Sequence, residues 1–246
     1  MQSSNPAIGV ITREAGSYNF GGIDAAATLS GTTTKALIFV TVTLLAGYFS
    51  LVYTVNYIYN MQAMPTLLMY GSLIAAFVVA MITIFKPQSS PITAPIYAVL
   101  EGVALGSLSA SFELRFPGIV ITAVISTFVV VMVMLALWKM KIIVPTARFR
   151  SVIIGAMSAI CVLYLINFAF TLFGSTLLPQ TGALSIGISL IVCLVAALSL
   201  VLDFENIQMA VDRGLPKYFE YFNAFSLLVT ICWLYIEILR LLSKRE

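Results

Sequence analysis

Residues 118–138 read GIVITAVISTFVVVMVMLALW, and this stretch decides the fold class because none of its 21 side chains is charged. An α-helix rises about 1.5 Å per residue, so about 20 apolar residues cross the roughly 30 Å hydrocarbon core of a bilayer. A helix also pairs its own backbone N–H and C=O groups where no water is present. The stretch therefore predicts a transmembrane helix.

Runs of similar length and composition recur along the chain, separated by short connections that contain proline, in some cases together with glycine. Short connections favour antiparallel neighbours. The sequence predicts an all-α membrane protein, a bundle of seven transmembrane helices over residues 35–246 that follows a flexible polar tail over residues 1–34. The seven apolar runs are 36–59, 66–85, 92–111, 118–138, 151–173, 183–202 and 221–242.

The composition excludes several classes of function. Hydrophobic residues make up 61% of the 246 residues and charged residues only 9%, whereas soluble domains carry about 25% charged residues. The expected surrounding is a lipid bilayer. The net charge of +3 is spread over the connections and does not form the basic surface that binds nucleic acid. The chain contains no histidine, which excludes Ser-His-Asp catalysis and histidine-ligated zinc. We expect neither an enzyme nor a bound cofactor.

The lysines and arginines predict an orientation in the cytoplasmic membrane. With seven spans, nine of them lie on the side of the N-terminus and four on the other side. Basic connections stay preferentially in the cytoplasm, so the N-terminus is expected there. The basic C-terminus favours a second topology, in which six spans and a re-entrant last helix leave both ends inside. The nine residues are Arg13, Lys35, Lys86, Lys139, Lys141, Arg148, Arg150, Arg213 and Lys217; the four are Arg115, Arg240, Lys244 and Arg245.

Small residues predict where helices pack closely in the membrane. Gly102 and Gly106 form a GxxxG motif in the third run. Similar stripes occur in the fifth run (Ser151, Gly155, Ser158, Ala159) and in the sixth run (Ser185, Ser189, Ala196, Ser199). The three cysteines, Cys161, Cys193 and Cys232, lie far apart within apolar runs and are interpreted as small core residues.

Carboxylates within the apolar runs are the candidate functional groups, because a charge inside a membrane is costly. Glu101 lies near the middle of the third run and has no basic residue within one helical turn. Asp203 follows the sixth run, where an acid at the membrane interface costs little. Glu237 has Arg240 three residues later and is expected to pair with it. Glu220 begins the last run, where an acid suits the positive end of the helix dipole.

Three segments, residues 201–207 (VLDFENI), 215–225 (LPKYFEYFNAF) and 233–242 (WLYIEILRLL), resemble the bacterial YccA-like branch of the Bax inhibitor-1 family. Residues 85–102 and 117–120 agree with this resemblance, which extends from about residue 35 to residue 245. The resemblance implies a seven-helix fold with the last helix in the centre. It also implies a calcium leak across the membrane that is sensitive to pH.

The resemblance further implies a gate made of two aspartates that share a hydrogen bond. Asp203 matches the first aspartate, but Thr230 stands at the position of the second. We expect Glu237, two turns beyond Thr230 on the same face, or Glu101 to take its place. The hypothesis is a path for calcium or another cation beside the last helix. Its candidate ligands are Asp203, Glu101 and Glu237, and its helpers are Thr230, Asn223 and Asn167.

A second hypothesis belongs to another class of function. The chain is then a membrane regulator or interaction protein without flux of its own, which modulates a membrane protease or a stress pathway through a membrane protein partner. Residues 139–150 and the N-terminal tail are its expected contact surfaces, since they are basic or polar and lie outside the apolar runs. The sequence leaves the oligomeric state open.

Overall fold

The computed structural model describes residues 26–175, 177, 179 and 182–244. Within this part of the chain, seven α-helices are long and apolar enough to cross a membrane, as the sequence predicts. A short 3-10 helix, Pro87–Ser89, lies between the second and the third. The helices are α1 (Leu29–Met61), α2 (Thr66–Phe85), α3 (Ser90–Glu113), α4 (Ile119–Lys139), α5 (Ala147–Leu172), α6 (Ala183–Asp212) and α7 (Tyr218–Ser243).

The ends of successive helices alternate between the two membrane faces. We call the face where α1 begins the N-terminal side and the face where α7 ends the C-terminal side. Helix α7 contacts α1, α3, α4 and α6, and Leu228, Leu234 and Leu239 are at most 2% exposed. The last helix is therefore central, so its polar side chains are enclosed by protein rather than by lipid.

The interface between α1 and α3 confirms the GxxxG prediction. A Cβ atom at Gly106 would lie 2.1 Å from the carbonyl oxygen of Gly47, and one at Gly102 would lie 2.5 Å from that of Thr43. Both glycines are thus required for the close approach of the two backbones. The Ser50 hydroxyl strengthens the same interface, because it donates to the carbonyl oxygen of Val103 at 2.8 Å.

Helix α5 contradicts the prediction that its small residues mediate packing. This helix lies at the edge of the bundle and packs mainly on α6. A Cβ atom at Gly155 would meet no atom within 4 Å. Small residues permit a close approach, but they do not create a partner on that face. The stripe in α6 is buried as predicted, whereas Ser151, Gly155, Ser158 and Ala159 of α5 are all exposed.

The N-terminal boundary also differs from the prediction. Helix α1 begins at Leu29, and the side chain of Thr28 caps it by accepting a hydrogen bond of 3.0 Å from the Gly31 N–H. A threonine cap of this kind stabilises a helix start. Residues 29–34 therefore belong to the bundle rather than to a flexible tail, while residues 1–25 lie outside the described part.

The three cysteines occupy different environments. Cys232 is buried, Cys193 is half-buried and Cys161 is exposed on α5. The interpretation of all three as core residues is thus wrong for Cys161. A thiol is apolar enough to face lipid, so its position in an apolar run does not distinguish the two surfaces.

Candidate cation site beside the last helix

Asp203 lies inside α6 rather than at its end. The helix continues to Asp212, which places the carboxyl group about 14 Å from the helix end. The residue is only 7% exposed. Residues 204–212, a mixture of apolar and polar side chains, continue the helix beyond the point where the apolar run of the sequence stops.

The Asp203 carboxyl group is only partly satisfied. Ser226 of α7 donates its hydroxyl hydrogen bond to Oδ1 at 2.7 Å, whereas Oδ2 is buried without a hydrogen bond. Thr230 lies one turn further along α7, with its hydroxyl close to the same carboxyl group, but this hydroxyl is oriented to donate to the Ser226 carbonyl at 3.3 Å. In the described residues, no lysine or arginine forms an ion pair with Asp203. A buried carboxylate oxygen that lacks a hydrogen bond calls for a proton, a water molecule or a cation.

A polar stripe runs along the α7 face that meets Asp203. It consists of Asn223, Ser226, Thr230 and Glu237, whose spacing of three, four and seven residues places them on one side of a helix. Asn223 is 6% exposed and its Nδ2 atom lacks a hydrogen bond. Asn223, Thr230 and Glu237 are candidates from the sequence, whereas Ser226 is recognised only in the structure. The spacing of Ser226, one turn before Thr230, was the available signal.

Glu237 forms the ion pair that the sequence predicts. Its carboxylate accepts a hydrogen bond of 3.3 Å from Arg240 and the side chain is 1% exposed. The Tyr164 hydroxyl of α5 lies 3.0 Å from both carboxylate oxygens. The Arg240 guanidinium lies 5.5 Å from the centre of the Tyr164 ring. Glu237 therefore joins α5 to α7, with both oxygens already in use.

Glu101 faces another side of α7. It is half-buried on α3, beside Tyr97 one turn earlier and Cys232 of α7. The Tyr97 ring packs edge-on against Phe225, with ring centres 4.9 Å apart. Phe225 and Cys232 are seven residues apart and follow a different line on α7 from the polar stripe.

The structure thus distributes the three candidate acids along the bundle rather than bringing them together. In the described residues, no group of three or more aspartate, glutamate or cysteine side chains is placed to hold one metal ion. Asn167, the third predicted helper, makes a different contact from these acids. Its Oδ1 atom accepts a hydrogen bond of 3.1 Å from the Leu177 N–H, which fastens the connection after α5.

Glu220 has more partners than its predicted role at a helix start requires. It is 2% exposed and forms an ion pair with Lys35 of α1. The backbone N–H and the hydroxyl of Thr28 both donate to its Oε1 atom at 2.8 Å. Lys35 also lies 4.5 Å from the centre of the Tyr221 ring. This carboxylate links the start of α1 to α7. The feature of the sequence that indicates such an ion pair is Lys35, a lysine at the start of an apolar run.

A comparison with curated proteins and one with solved structures find no match for this chain. A comparison with protein families finds one, over residues 5–246, to the family described as Bax inhibitor 1 like. The match includes Asp203, the polar stripe and the central last helix. Because it spans nearly the whole chain, this seven-helix membrane protein belongs to the Bax inhibitor 1 like family.

Proposed function

We propose that the protein is a pH-sensitive leak for cations, with calcium as the permeant ion, and that Asp203 is its gate. The observation that carries this proposal is the buried Oδ2 atom of Asp203, which has no hydrogen bond. Ionised, this carboxylate attracts a cation; protonated, it loses that charge. Removal of a carboxyl group from water disfavours its charged form, so a proton and a cation compete for the same oxygen.

The side chains around Asp203 suit the passage of a calcium ion better than its tight binding. Calcium prefers six to eight oxygen ligands. Asp203, Ser226, Thr230 and Asn223 supply only part of such a set, and one serine hydroxyl is already turned to Asp203. Water would complete the coordination shell. A site with few protein ligands releases an ion readily, as conduction requires.

The other two acids take separate roles in this proposal. Glu101 is a second acidic position along the proposed path, on the α3 side of α7 beside Tyr97 and Cys232. Glu237 reaches an ion only when Arg240 moves away, because Arg240 and Tyr164 occupy its oxygens. With the N-terminal side in the cytoplasm, Asp203 lies nearer the cytoplasmic end of the path.

Calcium flux into liposomes that contain the purified protein tests the proposal. Asp203→Asn keeps the size of the side chain but removes its charge, so we expect most of the flux and its pH dependence to be lost. Asp212→Asn is the matched control, because the same substitution then falls on an exposed residue at the end of the same helix. Equal flux from both variants over the whole pH range would refute the role of Asp203.

One observation supports the second hypothesis, a regulator without flux. Lys139, Lys141 and Arg148 are exposed around the connection between α4 and α5, and the ion pairs of the described residues include none of them. Such cations suit an acidic surface on a membrane protein partner. A purified protein that conducts no ion, together with loss of a copurifying partner after charge removal at these positions, would favour this function.

A further inference from the structure

Positive charge accumulates where α6 begins and α7 ends, on the C-terminal side. Lys244 directly follows α7, and its ammonium group donates hydrogen bonds to the Ser189 hydroxyl at 2.7 Å and to the Ser185 carbonyl at 3.3 Å. No ion pair of the described chain involves Lys244. Burial lowers the pKa of the Lys244 amine, and the charge of Arg240 lowers it further, although Glu237 acts in the opposite direction.

The first turn of α6 adds to this positive potential. Gly182 provides no side-chain cap, and the first turn contains no acidic residue. The first N–H groups of a helix have no partner within the helix and carry a partial positive charge. The nearby carboxylate of Glu237 already accepts hydrogen bonds from Tyr164 and Arg240. Glu237 therefore does not offset the additional positive charge of Lys244 and of the start of α6.

Ser185 gives an independent sign that a partner is missing. It is the third residue of α6 and is 0% exposed, yet its Oγ atom lacks a hydrogen bond. Its carbonyl oxygen is one of the two groups that Lys244 contacts. A buried hydroxyl without a partner is unusual in folded proteins. The unpartnered hydroxyl and a carbonyl oxygen that Lys244 contacts thus belong to the same residue.

We propose that Lys244, Ser185 and the first turn of α6 together bind the phosphate group of an anionic membrane lipid. Phosphate oxygens accept hydrogen bonds from an ammonium group, a hydroxyl and the N–H groups of a helix start. The site lies where two membrane-spanning helices end, at the level of the lipid headgroups. The adjacent surface of α6 exposes Leu190, Ile191 and Leu194, each more than half exposed, which provides an apolar surface for the acyl chains. This surface favours a lipid over free phosphate.

The test compares melting temperatures of the purified protein in detergent. Phosphatidylglycerol, which is anionic, should raise the melting temperature more than phosphatidylcholine does, and inorganic phosphate at the same concentration should have little effect. In Lys244→Gln we expect the apparent affinity for phosphatidylglycerol to fall about fivefold, since one basic group near a membrane surface contributes about 1 kcal/mol. Ser185→Ala should weaken binding in the same direction.

Lys217→Gln is the matched control, because Lys217 is exposed on the N-terminal side; it should behave as the wild type does. If Lys244→Gln does not fold, Lys244→Arg should keep the response and Ser185→Ala should reduce it. Equal responses to the two lipids, an unchanged response in Ser185→Ala, or a full response to inorganic phosphate would each overturn the proposal.

Discussion

The hydroxyl of Ser226 donates a hydrogen bond of 2.7 Å to Oδ1 of Asp203. The resemblance to the Bax inhibitor-1 family implies a second carboxylate opposite this aspartate, and Thr230 stands at that position. Ser226 and Thr230 therefore provide two hydroxyl groups in place of one acid. A hydroxyl donates to an ionised carboxylate and accepts from a protonated one, so Asp203 can change its charge without losing its partner.

Restoring the second acid should move the pH response. In Thr230→Asp, two carboxyl groups lie close together and resist being ionised at the same time. We expect the midpoint of the calcium flux to move to higher pH than in the wild type, because the pair keeps a proton to higher pH. Flux into liposomes from pH 5 to pH 9 measures this. Thr230→Asn is the control of similar size, and a profile shared by both variants would contradict the prediction.

The close contact of α1 and α3 should make Gly106 intolerant of any side chain. Gly106→Ala forces the two backbones apart, since the new Cβ atom would lie 2.1 Å from the Gly47 oxygen. We expect a loss of about 1–3 kcal/mol, as for other overpacked contacts, and a lower melting temperature in detergent. Gly155→Ala is the control, because space is open around this glycine of α5. Equal melting temperatures of the two variants would contradict the contact.

The link between α5 and α7 should depend on the Tyr164 hydroxyl. Tyr164→Phe leaves Glu237 with Arg240 as its remaining hydrogen-bond donor. A hydrogen bond to a charged group contributes about 1.5–3 kcal/mol, so we expect a clear decrease in the melting temperature. In the background of Glu237→Gln, the same change should cost much less. Additive effects of the two substitutions would show that these side chains do not interact.

The ion pair between Lys35 and Glu220 should be important for stability. In Lys35→Gln the Glu220 carboxylate loses its cation but keeps the two Thr28 donors, and Lys35 is itself partly exposed, so we expect a cost of about 1–3 kcal/mol. We expect a marked loss of melting temperature and faster proteolysis near residue 28, because the same carboxylate holds Thr28. Lys86→Gln is the control at an exposed lysine on the same side of the membrane. Unchanged proteolysis in Lys35→Gln would contradict this role of Glu220.

The number and approximate positions of the membrane spans could be predicted from the sequence, because hydrophobic length is a local property. The ion pair of Glu237 with Arg240 was predictable for the same reason, since both residues lie on one helix. The small residues of α5 do not pack as the sequence predicts. Their spacing permits a helix contact, but only the arrangement of the bundle decides whether another helix faces them.

The sequence alone determined that the chain spans a membrane, that Gly102 and Gly106 belong to a packed helix and that a few acids lie in apolar surroundings. The tertiary structure decided which side chains these acids meet: Ser226 at Asp203, Tyr164 at Glu237 and Lys35 at Glu220. The reason is geometric. Contacts within a helix follow from residue spacing, whereas contacts between helices depend on the rotation and height at which each helix packs against its neighbours.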